Sequence, residues 1–191
     1  MTYVEKKTLY FKEAGAKNTD ILLEFVKTYV EREAITDIVI ASTTGETGAK
    51  AAKIFKGYNV VVVTHHFGFR ELGKAELQEE LKKEIMANGA KIFTGIHALS
   101  GVERAIRKDF GTLAPLELIA NVLRLMGEGT KVCVEITLMA ADAGLIPVDR
   151  DVVAIAGTSR GADTALRIKP SNTARFFDLK IREVIAKPQD F

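Results

Sequence analysis

Ile38-Val39-Ile40-Ala41-Ser42-Thr43-Thr44-Gly45-Glu46-Thr47-Gly48-Ala49-Lys50 joins a short, wholly apolar run to a turn rich in hydroxyls and glycine. A continuous apolar run of this length marks a strand buried on both faces, which belongs at the centre of a parallel sheet covered by helices on each side. Gly45 to Phe55 then reads as the helix that crosses over to a second such run, Val60-Val61-Val62-Val63. Strand, turn, helix and strand in this order are the unit of an α/β sheet.

Upstream, Asn18 stands as a helix cap with Asp20 in the first turn, and Leu22, Phe25, Val26, Tyr29 and Val30 share one helical face. Downstream of an irregular stretch from Thr64 to Gly73, Lys74 to Asn88 reads as a charged helix ended by Gly89, and Ile92-Phe93-Thr94 as a third parallel strand. Helices follow from Ser100 and from Pro115 to Met126, proline suiting a first helical turn. Leu116, Ile119, Ala120, Leu123 and Met126 form one stripe, and Val132, Ile136, Met139 and Ala143 another before Gly144, so both segments read as core-facing. Asp151 to Ala156 is a further buried strand ended by Gly157, and Thr164 to Ile168 with Leu179 to Ala186 make a final pair that can run antiparallel. No linker, low-complexity tract or fixed-period repeat interrupts the alternation. The expectation is one domain over residues 1–191, a three-layer α/β/α sandwich with a mostly parallel sheet.

Composition narrows the function. An apolar fraction of 47% and a charged fraction of 27% build a core without disulfides or structural metal, and exclude a disordered tail. A net charge of +2, with bases and acids interspersed, lacks the basic stripe that a nucleic-acid backbone requires. Met1-Thr2-Tyr3-Val4-Glu5-Lys6-Lys7 is not a signal peptide, and no apolar run approaches a membrane span, so a cytoplasmic protein is expected. Cys133, the single cysteine, rules out an intramolecular disulfide and reads as a small core side chain.

In an α/β sheet, ligands bind outside the carboxyl ends of the strands, and three loops lie there. In Ser42, Thr43, Thr44, Gly45, Glu46, Thr47 and Gly48, glycines let the backbone approach an anion, unpaired N–H groups of the helix start point at it, and hydroxyls add donors. The spacing is neither Walker A nor the dinucleotide fingerprint. The bland alternative is a capped helix. Gly45→Val or Thr47→Glu is expected to weaken binding of a phosphorylated ligand without unfolding the domain. In the second loop, Gly157, Thr158, Arg160, Gly161, Ala162 and Asp163, Arg160 offers a guanidinium clamp. In the third, His65, His66, Phe67 and Gly68 place an aromatic beside glycine, suited to the flat part of a ligand. No metal is expected there: neighbouring histidines in extended chain point to opposite sides, and His97 has no cysteine partner. Glu103 and Arg107 read as a surface pair; Glu135 and Asp142, two turns apart on a helix whose other face is apolar, either both face a cleft or are solvated, the commoner state of helix carboxylates. No set of nucleophile, base and orienting acid emerges.

At these loops the sequence resembles a known domain. Ile40 to Ala49 is similar to the strand, Ser/Thr-rich turn and helix start of the C-terminal domain of pyruvate kinase, where that turn holds a phosphate of a sugar bisphosphate. Gly161-Ala162-Asp163-Thr164-Ala165-Leu166-Arg167-Ile168 looks like the Gly-x-Thr-Asn-Thr-x-Arg-Val segment near the end of that domain. Nearly the whole chain, with His65-His66-Phe67-Gly68 and Met139-Ala140-Ala141-Asp142-Ala143-Gly144, resembles a stand-alone, largely archaeal pyruvate kinase alpha/beta domain family. The resemblance implies a mostly parallel five-stranded core sheet with one antiparallel strand, and binding of flavin mononucleotide (FMN). It implies no pyruvate kinase activity, because the kinase chemistry resides in a separate barrel for which 191 residues leave no room. Glu46 departs from the kinase turn and favours a single phosphate over two. Two functions compete: an FMN-binding protein, with or without oxidoreductase activity, and a non-catalytic sensor or carrier of a phosphorylated metabolite such as a sugar phosphate. The expected partner is that small molecule, with a homo-oligomer also allowed.

Overall fold

The computed structural model describes residues 2–191. Among these, β1 (Leu9–Glu13), β2 (Asp37–Ala41), β3 (Asn59–Thr64), β4 (Lys91–Thr94), β5 (Val152–Ala156), β6 (Thr164–Lys169) and β7 (Lys180–Asp190) form one sheet in the order β1-β7-β6-β5-β2-β3-β4. The helices are α1 (Thr19–Glu33), α2 (Glu46–Ile54), α3 (Glu79–Ala87), α4 (Glu103–Phe110), α5 (Pro115–Arg124) and α6 (Glu128–Asp142). β6 runs antiparallel to β5 and β7, and the other pairs are parallel.

The apolar runs behave as their composition demands. Ile38, Ile40, Val60 and Val62 face one layer, where Leu22 and Val26 of α1, Ala51 and Ala52 of α2 and Ile85 of α3 meet them. Val39, Val61 and Val63 face the other, against Ala120 of α5 and Cys133, Ile136 and Leu138 of α6. Alternate residues of a strand point to opposite faces, so a central strand covered on both sides must be apolar throughout. Leu22 and Ile38 are wholly buried, and truncating either to Ala costs about 2–5 kcal/mol.

The fold departs from the sequence reading in four places. A strand at Leu9–Glu13, flanked by charges and with Tyr10 exposed, pairs in parallel with β7 and extends that strand to Asp190, so it adds a seventh strand to the six read from the sequence. Asn18 gives α1 no side-chain cap; its amide donates to the Glu13 carbonyl at 2.8 Å, and a 3-10 turn at Ala16–Asn18 leads into the helix. The charged helix starts at Glu79 rather than Lys74, because the preceding residues are recruited elsewhere: the Gln78 N–H donates to the Thr44 carbonyl at 3.0 Å, and Glu76 turns to His65 and Arg70. Finally, α6 is buried almost all round, while Ala143 beyond its end and Met126 beyond α5 are exposed.

Candidate functional site

From β2 the chain proceeds through α2 to β3 on one side, whereas β5 lies on the other side of β2 and is reached by way of α6. Loops leaving β2 and β5 therefore diverge, and in such sheets the crevice at that switch point is the ligand site. Here it is a cavity of about 720 Å³, lined from the loops after β2, β3, β4 and β5 and from α4, α5 and α6. α6 lines it from Glu128 to Met139, its start drawn against the sheet where Gly129 packs on Thr164 at the end of the β5–β6 pair.

The turn after β2 is built from behind. Gly45 opens α2 at φ 106°, a left-handed conformation. A Cβ there would lie 2.7 Å from Leu81 Cβ, and one at Gly48 would lie 2.7 Å from Val62 Cγ1. Both glycines thus serve close packing and do not line the cavity, which corrects the reading that Gly45→Val spares the fold. The Ser42 hydroxyl accepts the Gly48 N–H at 3.0 Å, capping the helix. The N–H groups of Glu46 and Thr47 have no acceptor among the described residues, and the Thr43, Thr44 and Thr47 side chains line the cavity beside Ser42 and the exposed Glu46. Free donors at a helix N-terminus favour an anion.

The loop after β5 is held by Asp163, which is fully buried and faces away from the cavity. Its carboxylate accepts the Gly15 N–H at 2.9 Å, the Thr158 N–H at 3.1 Å and the Thr164 hydroxyl at 2.7 Å. The Ala162 N–H donates to the Thr19 hydroxyl at 2.9 Å, so Ala162 too is scaffold. What faces the cavity is Gly157, Thr158, Ser159, Arg160 and Gly161. Ser159 holds a left-handed φ of 62°, and a Cβ on Gly161 would meet Ala16 Cα at 2.5 Å. The Thr158 Oγ1 atom is buried without a hydrogen-bond partner, and the exposed Arg160 has no carboxylate partner among the described residues.

The third wall is aromatic. The rings of His65 and Phe69 lie 3.9 Å apart, those of His65 and His97 5.2 Å and those of Phe69 and His97 5.1 Å, with the Arg104 guanidinium 4.3 Å above Phe69. His65 is fixed by Glu76, 2.7 Å from its Nδ1, and its Nε2 lies 3.5 Å from the Thr43 hydroxyl. Burial holds the pKa of His97 down to about 4, opposed by Glu135 and reinforced by His65, Lys131 and His66, so the ring is neutral at pH 7. Three readings change here. His65 and His66 do not diverge to opposite sides; both approach His97, His66 at 5.4 Å. Phe67 is 65% exposed and lies outside the cavity, its place taken by Phe69, two residues on. His66 and Gly68 also lie outside, His66 Nδ1 sitting 2.6 Å from the Phe67 carbonyl and Gly68 donating to the Lys74 carbonyl. No group of three His, Cys, Asp or Glu among the described residues is arranged to hold a metal ion.

Of its two sequence readings, Glu135 takes the cleft-facing one and is buried in the cavity wall. One carboxylate oxygen accepts the Leu99 N–H at 3.1 Å and the other accepts from Lys131 Nζ at 2.6 Å. Lys131 and Glu135 are opposite charges four residues apart among the apolar residues of α6, and that spacing was the available signal. Asp142 is turned elsewhere, accepting the Thr173 N–H at 3.0 Å. Glu103 and Arg107 do not pair with each other: Glu103 accepts the Leu116 N–H at 2.9 Å and Arg107 pairs with Glu117, which ties α4 to α5.

Residues 20–168 match the family described as pyruvate kinase, alpha/beta domain, and the chain belongs to that family. Among solved structures, that of Cryptosporidium parvum pyruvate kinase in complex with ADP is similar over 87% of this chain and 23% of its own, with 12% identity and a TM-score of 0.37. The chain therefore spans about a quarter of the length of that protein.

Proposed function

We propose that this member of the pyruvate kinase alpha/beta domain family binds a phosphorylated small molecule, FMN first among the candidates. The observation that carries the reading is that one cavity joins a helix start with unpaired N–H groups to an aromatic wall. The residues fit the group: the buried, unpartnered Thr158 hydroxyl and the free N–H groups of Glu46 and Thr47 are donors awaiting an acceptor. With Arg160 and the Thr43, Thr44 and Thr47 hydroxyls they would hold a phosphate. The aromatic wall of His65, Phe69 and the neutral His97 would border a flat ring, with Arg104 and His65 packed on Phe69. Bound FMN would supply electron-transfer chemistry, while the chain supplies orientation and exclusion of water.

A second reading is a non-catalytic sensor or carrier of a sugar phosphate. It is favoured by the pairing of the charged groups around the cavity: Arg107 with Glu117, Arg124 with Glu128, Lys131 with Glu135 and His65 with Glu76. Such pairing ties up these four acids as partners of neighbouring cations or of His65. In neither reading is pyruvate kinase activity expected, since the family resemblance puts that chemistry in another module. No helix among the described residues is long and apolar enough to cross a membrane. A cytoplasmic setting and archaeal origin belong to the same proposal.

Absorbance of the purified protein and calorimetry with FMN, riboflavin and a sugar phosphate test the choice. FMN is expected to bind at least about a hundredfold more tightly than riboflavin, or roughly 2.7 kcal/mol, because riboflavin lacks the phosphate. Binding of the sugar phosphate without FMN would replace the flavin reading by the sensor.

A further inference from the structure

Lys131 is the most buried cation in the cavity wall, its side chain 7% exposed and that of Glu135 5%. An ammonium carries three donors. One goes to Glu135 Oε2 at 2.6 Å, and Lys131 Nζ makes no other hydrogen bond to the described residues. Burying an ammonium and a carboxylate together costs several kcal/mol of hydration per ion, which one ion pair offsets only when the remaining donors are also met. Glu135 is met on both oxygens, by Lys131 and by the Leu99 N–H. Lys131 is not. The pair is therefore an oriented donor, fixed by a carboxylate that is itself fixed by the backbone.

Its position gives it a different task from the phosphate turn. α2, whose N-terminus carries the free N–H groups, packs on one face of the sheet, and α6, which carries Lys131, packs on the other. Both reach the cavity over the ends of β2 and β5. A ligand with its phosphate at α2 must extend across the strand ends to reach α6, past the aromatic wall. His97 is near Lys131 and neutral, so it adds no second cation there.

We infer that Lys131, positioned by Glu135, reads the end of the ligand remote from the phosphate by donating to a ring carbonyl or other acceptor edge. This rests on the FMN reading and assigns Lys131 to the carbonyl-bearing edge of the ring. The ligand class that satisfies the whole cavity is thus a phosphomonoester joined to a flat, acceptor-edged heterocycle.

The experiment titrates wild type, Lys131→Met and the double variant K131M/E135Q with FMN, riboflavin and inorganic phosphate by calorimetry, with thermal melts of each protein. The double variant removes both charges, so no orphaned carboxylate stays buried, and the side-chain amide introduced at position 135 still accepts from the Leu99 N–H. Both variants should lose affinity for FMN and for riboflavin by the same factor, about tenfold to a hundredfold, and keep wild-type affinity for phosphate. A merely structural role would weaken all three ligands together. FMN and riboflavin binding at wild-type strength to either folded variant would overturn the inference and leave the FMN reading standing. Failure of wild type to bind either flavin would remove that reading, and this one with it.

Discussion

Replacing Thr158 by Val should stabilise the free protein and weaken its hold on a phosphorylated ligand, two effects of opposite sign from one hydroxyl. The Thr158 Oγ1 atom is buried and lacks a partner, while its own backbone N–H is tied to Asp163 at 3.1 Å. A buried polar group without a partner costs about 1–3 kcal/mol relative to a satisfied one. Valine keeps the branched shape and removes the group, so a gain of about 1 kcal/mol is expected, the low end because Thr158 borders an open cavity. In a domain of this size that raises the melting midpoint by roughly 2–4 °C. On the ligand side, a hydrogen bond to a charged phosphate is worth about 1.5–3 kcal/mol, so affinity for inorganic phosphate or FMN should fall about tenfold or more. Differential scanning calorimetry of the ligand-free protein and titration calorimetry of the same sample read the two effects. A lower midpoint with unchanged affinity would refute the reasoning, because it would mean the hydroxyl is satisfied within the protein and the loop after β5 has no part in binding.

Three further outcomes are expected. The unfolded chain binds a proton at His97 near pH 6.5 and the folded chain only near 4, so stability is lost as the pH falls between these values and no further below. That gap is worth about 3 kcal/mol at full burial and about 2 after allowance for partial exposure; acid titrations of wild type and His97→Gln check it, and an identical acid limb in both would assign the sensitivity to other groups. Gly45→Val should lower the melting midpoint sharply, because it imposes a left-handed φ of 106° on a β-branched residue and drives its Cβ to 2.7 Å from Leu81 Cβ; a wild-type melt would show that α2 and α3 separate readily. Burial pushes the Cys133 thiol well above its ordinary range, so a thiol reagent should label it only in denaturant, and rapid labelling of the native protein would show that α6 opens.

The sequence alone determined the alternation of strands and helices and the place of the Ser/Thr-rich turn at the ends of the strands. The runs at Ile38 and Val60 carry apolar side chains on both faces, and only a central strand covered on both sides needs that. The Ser/Thr-rich turn was legible because its chemistry is local: the Ser42 hydroxyl accepts the N–H of Gly48, six residues on, in the first turn of the helix that follows. Everything that depends on pairing across long stretches of chain was decided by the tertiary structure. β1 is a strand because β7, more than 170 residues later, offers it an edge; Thr8 beside it bonds Val184 at a separation of 176. The helix expected from Lys74 lost its first turn because Thr44 and His65, distant in sequence, compete for Gln78 and Glu76. Solvation was the commoner reading of Glu135 because a carboxylate alone on a helix prefers water. It is buried because Lys131, one turn away, and the Leu99 amide from another loop together replace that water, and periodicity within one segment carries no record of such a partner.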